Sequence, residues 1–179
     1  MKRQRAEGFT LIELLVVVTI VGILASIAVP SLLRARSAAA EVSTIASLRA
    51  IHSAQATYQG TCASGYYAPS IPWLARRPTV GAGGPFINPP FTTDTTDRQG
   101  YRIRFSLGTR AARAPATCNG LALGQAATTF FVGADLLVAT GGTVSRYFGI
   151  NQAGVVYQST SRIAPFYTGR PPAPARPIG

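Results

Sequence analysis

Residues 8–29 read GFTLIELLVVVTIVGILASIAV, a predominantly apolar run that contains one carboxylate, that of Glu13. The 21 residues from Phe9 to Val29 would form a helix about 31 Å long, which matches a bilayer core of about 30 Å. A side chain ionised at bilayer depth costs about 2.5–3.5 kcal/mol on insertion scales, so it usually marks a functional contact. The run therefore predicts a membrane-spanning helix whose carboxylate has a partner.

The residues before this run set its orientation. Lys2, Arg3 and Arg5 outnumber Glu7, so the tip is expected to stay cytoplasmic while the rest of the chain is exported. Three interpretations compete for the run: a signal peptide cut after Ala28, a plain membrane anchor, and a prepilin cut on the cytoplasmic side. Glu13 favours the third interpretation, because a packed helical filament can pair its carboxylate with an opposite charge. A signal peptide or a bare anchor gains nothing from a carboxylate in its apolar run.

The segment from Lys2 to Pro30, with GFTLIE at its start, resembles the N-terminus of type IV pilins and of type II secretion pseudopilins. The resemblance implies that a prepilin peptidase cuts between Gly8 and Phe9 and then N-methylates Phe9. It implies that Glu13 pairs with the Phe9 amine of a neighbouring subunit during filament assembly. It also implies a kink or local melting of the helix at Pro30, where one helical hydrogen bond is lost.

The same resemblance implies partners and a location. The expected partners are like subunits in a helical filament, the prepilin peptidase, an inner-membrane assembly platform and the membrane itself. Before assembly the chain would be a single-pass inner-membrane protein with a cytoplasmic N-terminus. Afterwards it would lie in an extracellular pilus or a periplasmic pseudopilus.

The expected fold class is α+β, a pilin-like roll in which one long N-terminal helix packs on a small antiparallel sheet of about four strands. The strands are predicted near 101–107, 128–134, 143–150 and 155–158, with a hairpin turn at 151–154. The predicted division of the chain is as follows: leader 1–8, membrane helix 9–29, continuing helix 30–59, irregular Pro/Gly-rich loop 60–98, sheet region 99–163, and flexible Pro-rich tail 164–179.

Cys62 and Cys118 are the only two cysteines, and in an exported domain a lone pair most often forms a disulfide. It would close a loop of roughly 57 residues and contribute on the order of 4 kcal/mol; two free buried thiols remain the alternative. These cysteines and the single histidine, His52, show no metal-ligand spacing. With few acidic residues and no nucleophile–base arrangement, we expect no metal, no cofactor and no enzymatic activity.

The chain is strongly basic, with 17 Lys and Arg against 6 Asp and Glu. Removal of residues 1–8 leaves 14 basic and 5 acidic residues, a balance of +9. This charge indicates either a solvated basic surface or contact with an anionic partner such as nucleic acid. The leading hypothesis is a structural subunit of a type IV pilus, used for adhesion, twitching motility or DNA uptake. The alternatives are a type II secretion pseudopilin and a DNA-binding minor pilin.

Overall fold

A computed structural model describes residues 9–79, 83–137 and 146–178. The chain divides into two compact units, one up to Ala39 and one from Ala40 onward, and each is described by itself. Helix α1 spans Leu11–Thr61 and contributes to both units. It includes Pro30 and is assigned as one helix across that residue, so the melting implied for Pro30 stays a prediction about the filament.

The unit from Ala40 onward contains an antiparallel sheet of six strands, in which each strand pairs with the next one along the chain. The predicted α+β fold, a long helix packed on an antiparallel sheet, is confirmed, with six strands instead of four. The predicted turn at 151–154 joins β4 to β5, where Ile150 pairs with Val156. The strands are β1 Thr95–Arg98, β2 Tyr101–Leu107, β3 Phe130–Leu136, β4 Tyr147–Asn151, β5 Val156–Ser159 and β6 Arg176–Pro177.

Strand β1 and the short helix α2, Ile71–Leu74, lie inside the region predicted to be an irregular loop. β1 has the polar sequence TTDR and therefore lacks the alternation that signals a half-buried strand. A two-residue turn returns the chain directly to β2, with φ of 47° at Gln99 and 83° at Gly100. Positive φ at both central positions matches the twist of a hairpin, so turn geometry explains this strand where hydrophobicity does not.

The C-terminal segment is packed on the domain, which corrects the prediction of a flexible tail. β6 pairs with β5, and Phe166 is buried. The Phe166 ring lies 5.3 Å from the ring of Phe131 and 5.4 Å from that of Tyr157. Proline indicates extended backbone, but it does not prevent the aromatic residues between the prolines from packing on the outer face of the sheet.

The main core forms between the C-terminal half of α1 and the inner face of the sheet. Leu48, Ile51 and Tyr58 follow helical spacing and are almost fully buried. They belong to one cluster with alternate residues of β2, β3 and β4, among them Ile103, Phe105, Phe130, Val132, Phe148 and Ile150. The helix thus contributes one apolar stripe, as expected for a helix on a sheet.

The buried stripe of α1 also carries polar residues whose partners lie on other elements. The Gln55 amide is fully buried; its Nε2 donates to the Ala68 carbonyl at 2.9 Å, and its Oε1 accepts from the Ala68 N–H at 2.9 Å. Glu41 is buried and accepts from Arg146, with Nε 3.2 Å from Oε1. Because buried polar groups must be paired, these contacts tie the helix to the adjoining loop and to the start of β4.

The outer face of the sheet has a glycine pair at its centre. Gly133 on β3 lies opposite Gly149 on β4, and the ring of the buried Phe131 covers both positions. A Cβ atom added at Gly149 would lie 2.8 Å and 2.9 Å from ring carbons of Phe131. The absence of side chains at these two positions therefore makes the room in which Phe131 packs.

Candidate functional site

The predicted processing site lies at the beginning of the described chain. Gly8 falls outside the described residues, so the structure gives no geometry for the expected cleavage bond. Phe9 is the first described residue and its side chain is 74% exposed. Helix α1 begins two residues later at Leu11.

Glu13 forms a local contact at the start of α1. The Glu13 N–H donates to Thr10 Oγ1 at 3.3 Å, and the Thr10 hydroxyl is 3.3 Å from Glu13 Oε2. A threonine followed three residues later by a glutamate is the capping-box pattern. Here Thr10 satisfies the Glu13 N–H, and the Glu13 carboxylate accepts from the Thr10 hydroxyl and not from the Thr10 N–H. We did not infer this role from the sequence, although Thr-x-x-Glu before an apolar run is its known signal.

The helix in the first unit presents apolar side chains to its surroundings on every side. The two hydroxyl groups within its apolar run are satisfied by the helix itself: Thr19 Oγ1 donates to the Leu15 carbonyl and Ser26 Oγ to the Ile23 carbonyl, both at 2.7 Å. Among the described residues, α1 is the one helix long and apolar enough to cross a membrane. The exposed residues include Leu11, Ile12, Leu14, Leu15, Val16, Val17, Val18, Ile20, Val21, Ile23, Leu24, Ile27, Val29, Leu32 and Leu33.

Cys62 and Cys118 form a disulfide, as the sequence predicts. Cys62 directly follows the end of α1, and Cys118 lies in the long connection between β2 and β3. The Cys118 N–H donates to the Cys62 carbonyl at 3.1 Å. The bond thus joins the helix to a connection that has little regular structure of its own.

Three of the four carboxylates of the second unit form ion pairs within the chain. Glu41 pairs with Arg146, Asp97 with Arg102, and Asp135 with both Arg104 and Arg162. The hydrogen bond from Arg102 lowers the pKa of Asp97, and the one to Glu41 raises the pKa of Arg146. For Asp135, burial raises the pKa and outweighs the opposing charge of Arg104.

The arginines, in contrast, are mostly free of such pairs. Four of the 14 arginines after Gly8 take part in the ion pairs above, so 14 − 4 = 10 have no ion pair with a carboxylate of the described residues. The excess positive charge is therefore not neutralised within the folded chain. These ten are Arg34, Arg36, Arg49, Arg76, Arg77, Arg98, Arg110, Arg113, Arg170 and Arg176.

His52, which the sequence gives no functional role, packs against the turn between β4 and β5. Its Nε2 lies 3.4 Å from the Gln152 carbonyl oxygen. Over residues 9–79, 83–137 and 146–178, no group of three His, Cys, Asp or Glu side chains is placed to hold a metal ion. What the geometry offers is an apolar helical surface with one carboxylate near its beginning.

Comparison with known proteins supports the same part of the chain. Residues 3–29 match the family profile described as the prokaryotic N-terminal methylation motif. The chain is 48% identical over 56 residues to the type IV major pilin protein PilA of Myxococcus xanthus, covering 30% of this chain and 24% of that protein. It is 41% identical over 59 residues to the type II secretion system core protein G of Klebsiella michiganensis, covering 33% of this chain and 42% of that protein.

No solved structure matches the chain. The alignments span less than half the length of either relative. The family profile covers the apolar helix and the residues just before it, and each relative aligns with about a third of this chain.

Proposed function

We propose that this chain, which carries the prepilin-type methylation motif and resembles type IV pilins and type II secretion pseudopilins, is a structural subunit of a type IV pilus. Adhesion, twitching motility and DNA uptake are the activities such a filament would serve. The observation that carries the proposal is the exposed apolar surface of α1 with Glu13 near its beginning. The domain after it would contribute a structural body to the filament.

The apolar surface of α1 requires a non-aqueous environment. Its large side chains between Leu11 and Leu33 are 49–84% exposed in the single chain. Burying apolar surface is favourable by about 25 cal/mol per Å², and a soluble monomer rarely exposes a continuous patch of this extent. Before assembly a bilayer would cover this surface, and in a filament the helices of like subunits would cover it.

Processing would release the subunit for assembly. A prepilin peptidase would cut after Gly8 and methylate the new N-terminus at Phe9, while the inner membrane holds the helix. Glu13 would then approach the Phe9 amine of a neighbouring subunit at an inner-membrane assembly platform. Two opposite charges buried together recover much of the desolvation cost that either would suffer alone.

A pseudopilin of a type II secretion system is the second candidate. It is supported by the similarity to the type II secretion core protein G, which is of the same order as the similarity to the pilin. Surface filaments seen by electron microscopy would favour the pilus. Loss of protein export on deletion, without loss of surface filaments, would favour the pseudopilin.

A DNA-binding minor pilin is the third candidate, and the ten arginines without a carboxylate partner favour it. A filament of like subunits has few free carboxylates to neutralise them. Phosphate contacts release counterions, so the DNA affinity of this chain would fall steeply with rising salt. An affinity that stays constant from low to high salt would contradict this candidate.

Substitution of Glu13 tests the leading proposal. Glu13→Ala removes both the charge and the acceptor for the Thr10 hydroxyl, whereas Glu13→Gln keeps that acceptor and removes only the charge; both keep the backbone N–H that donates to Thr10 Oγ1. We expect both variants to insert into the membrane and to be cleaved, and both to be depleted from sheared filaments. Val18→Ala, a change in the same apolar run, should assemble normally. Normal assembly of Glu13→Gln would contradict a charge-pairing role.

Mass spectrometry of the mature chain tests the processing step. The expected N-terminus is methylated Phe9. A mature chain that begins at Val29 would instead establish a signal peptide cut after Ala28 and would contradict the proposed function.

A further inference from the structure

A cavity of about 520 Å³ opens in the second unit. It lies among α2, the end of β2 and the β2–β3 connection that contains Cys118. Its volume falls within the range of about 300–1,000 Å³ typical of small-molecule sites. The lining includes Trp73, Asp94, Leu107, Arg110, Leu121 and Gln125.

The polar side chains of this lining use only some of their donor and acceptor atoms in hydrogen bonds within the chain. Asp94 Oδ1 accepts the Ile71 N–H at 2.7 Å, and Gln125 Oε1 accepts from Arg110. The Asp94 Oδ2 and Gln125 Nε2 atoms have no hydrogen-bond partner among the described residues. Both residues are exposed to solvent, so the cavity presents an accessible acceptor and an accessible donor to a ligand.

The charges of the lining are balanced. Asp94 is its one carboxylate and Arg110 its one guanidinium. An anionic ligand would meet the Asp94 carboxylate, and a cationic ligand would meet Arg110. Burial raises the pKa of Asp94 more than the hydrogen bond from Ile71 lowers it, which is consistent with a partly desolvated wall. The arrangement fits a ligand that is neutral and carries both donors and acceptors.

The rest of the lining combines apolar side chains with Ser70, and its aromatic residue is held by neighbours. Leu107 and Leu121 contribute aliphatic surface, and Trp73 contributes an indole ring. The Arg76 guanidinium lies 4.3 Å from the centre of that ring, and Asn119 Nδ2 donates to the Trp73 carbonyl at 2.6 Å. A preformed site loses little conformational entropy on binding.

We propose that this cavity binds a neutral saccharide. Sugar hydroxyls each donate and accept, so they can pair with the Asp94 carboxylate and the Gln125 amide together. The C–H faces of a sugar ring can pack on the indole and leucine surfaces. The site belongs to the folded domain alone, so it stands whether or not the chain forms a pilus.

The single tryptophan of the chain gives a direct measurement, because Trp73 lines the cavity. The full chain is kept in a detergent without a sugar head group and is titrated with maltose, lactose, mannobiose and chitobiose. We expect a saturable change in Trp73 fluorescence with at least one of them, with the same half-saturation at low and high salt.

Two variants and a control locate the response. Asp94→Asn keeps an oxygen for the Ile71 N–H but removes the charge, and Gln125→Ala removes the amide. Each should raise the half-saturation concentration about threefold to tenfold, because Asp94→Asn turns a charge-assisted hydrogen bond into a neutral one and Gln125→Ala removes one hydrogen bond. Asp97→Asn makes the same change outside the lining and should leave binding unaltered. Near-UV circular dichroism confirms that each variant is folded.

Three results would overturn the proposal. The first is the absence of a saturable response to all four disaccharides. The second is a response that folded Asp94→Asn and Gln125→Ala both retain at full strength. The third is a response to inorganic phosphate alone that weakens with salt, which would make the cavity an anion site.

Discussion

Substitution of Gly149 by alanine tests how the outer face of the sheet is packed. The new Cβ would lie 2.8 Å and 2.9 Å from two ring carbons of Phe131 and 3.6 Å from Ile163 Cδ1. Non-bonded carbons prefer a separation of about 3.5–4.0 Å, so the ring must move by about 0.7 Å. Phe131 is 2% exposed and packed against Phe166, so little room is available. We expect a loss of about 1–3 kcal/mol in the free energy of unfolding, as in other overpacked cores.

Gly60→Ala is the matched control. Gly60 lies in α1, and nothing lies within 4 Å of an added Cβ. Because alanine is a better helix former by about 0.5–1 kcal/mol, this variant should be neutral or slightly more stable. The same glycine-to-alanine change is thus expected to lower the free energy of unfolding at Gly149 and to leave it unchanged or raise it slightly at Gly60.

Guanidinium unfolding of the full chain in detergent, followed by Trp73 fluorescence, measures both effects. The overlap with Phe131 is tested separately by repeating Gly149→Ala in a Phe131→Leu background, where its cost should fall by at least half. A Gly149→Ala protein within about 0.5 kcal/mol of the parent would refute the reasoning. If Gly149→Ala lowers the free energy of unfolding by the same amount in the Phe131→Leu background, the overlap with the Phe131 ring is not the cause of the loss.

Three further predictions concern the second unit. Burial, and after it the nearby Glu41 charge, raises the pKa of Tyr101 from 10.0 to about 12. Because the pKa is higher in the folded state than in the unfolded state, the free energy of unfolding should fall between about pH 10 and pH 12. Tyr101→Phe should flatten that fall when unfolding is measured at alkaline pH. Cys62→Ser should cost on the order of 4 kcal/mol in denaturant unfolding, and reductant should then have no further effect. Gln55→Met leaves the Ala68 N–H and carbonyl without their partner and should cost about 2–4 kcal/mol; a thermal midpoint equal to that of the parent would contradict this.

The sequence predicted the apolar helix and the central strands because their physical requirements appear in consecutive residues. An apolar run long enough to cross a bilayer can be recognised directly in the sequence. The alternation of apolar and polar residues in Tyr101–Leu107 matches the alternating burial of β2. The edge strands β1 and β6 were not predicted, because a short polar strand and a short strand with proline show no alternation of apolar and polar residues. β1 depends on the tight turn to β2, and β6 depends on its pairing with β5.

The polar contacts of the core were beyond the sequence for a different reason. Glu41 and Arg146 are 105 residues apart in the chain, and periodicity counts only apolar residues. The cavity beside Trp73 likewise combines residues from α2, the segment before β1, and both ends of the β2–β3 connection. Only the folded backbone brings these segments together, so their types and spacing indicate nothing in advance.

The contact between Thr10 and Glu13 bears on how neighbouring subunits of a filament of this chain would align. In the single chain the Glu13 carboxylate already has a partner at its own helix end. That contact uses only Oε2 of the carboxylate, and an ionised carboxylate offers about four acceptor sites. The amine of a neighbouring subunit could therefore bind Glu13 while the Thr10 hydroxyl keeps its contact. The hydroxyl would then hold the carboxylate in one orientation for the amine, so the start of each helix would help to set the register between subunits.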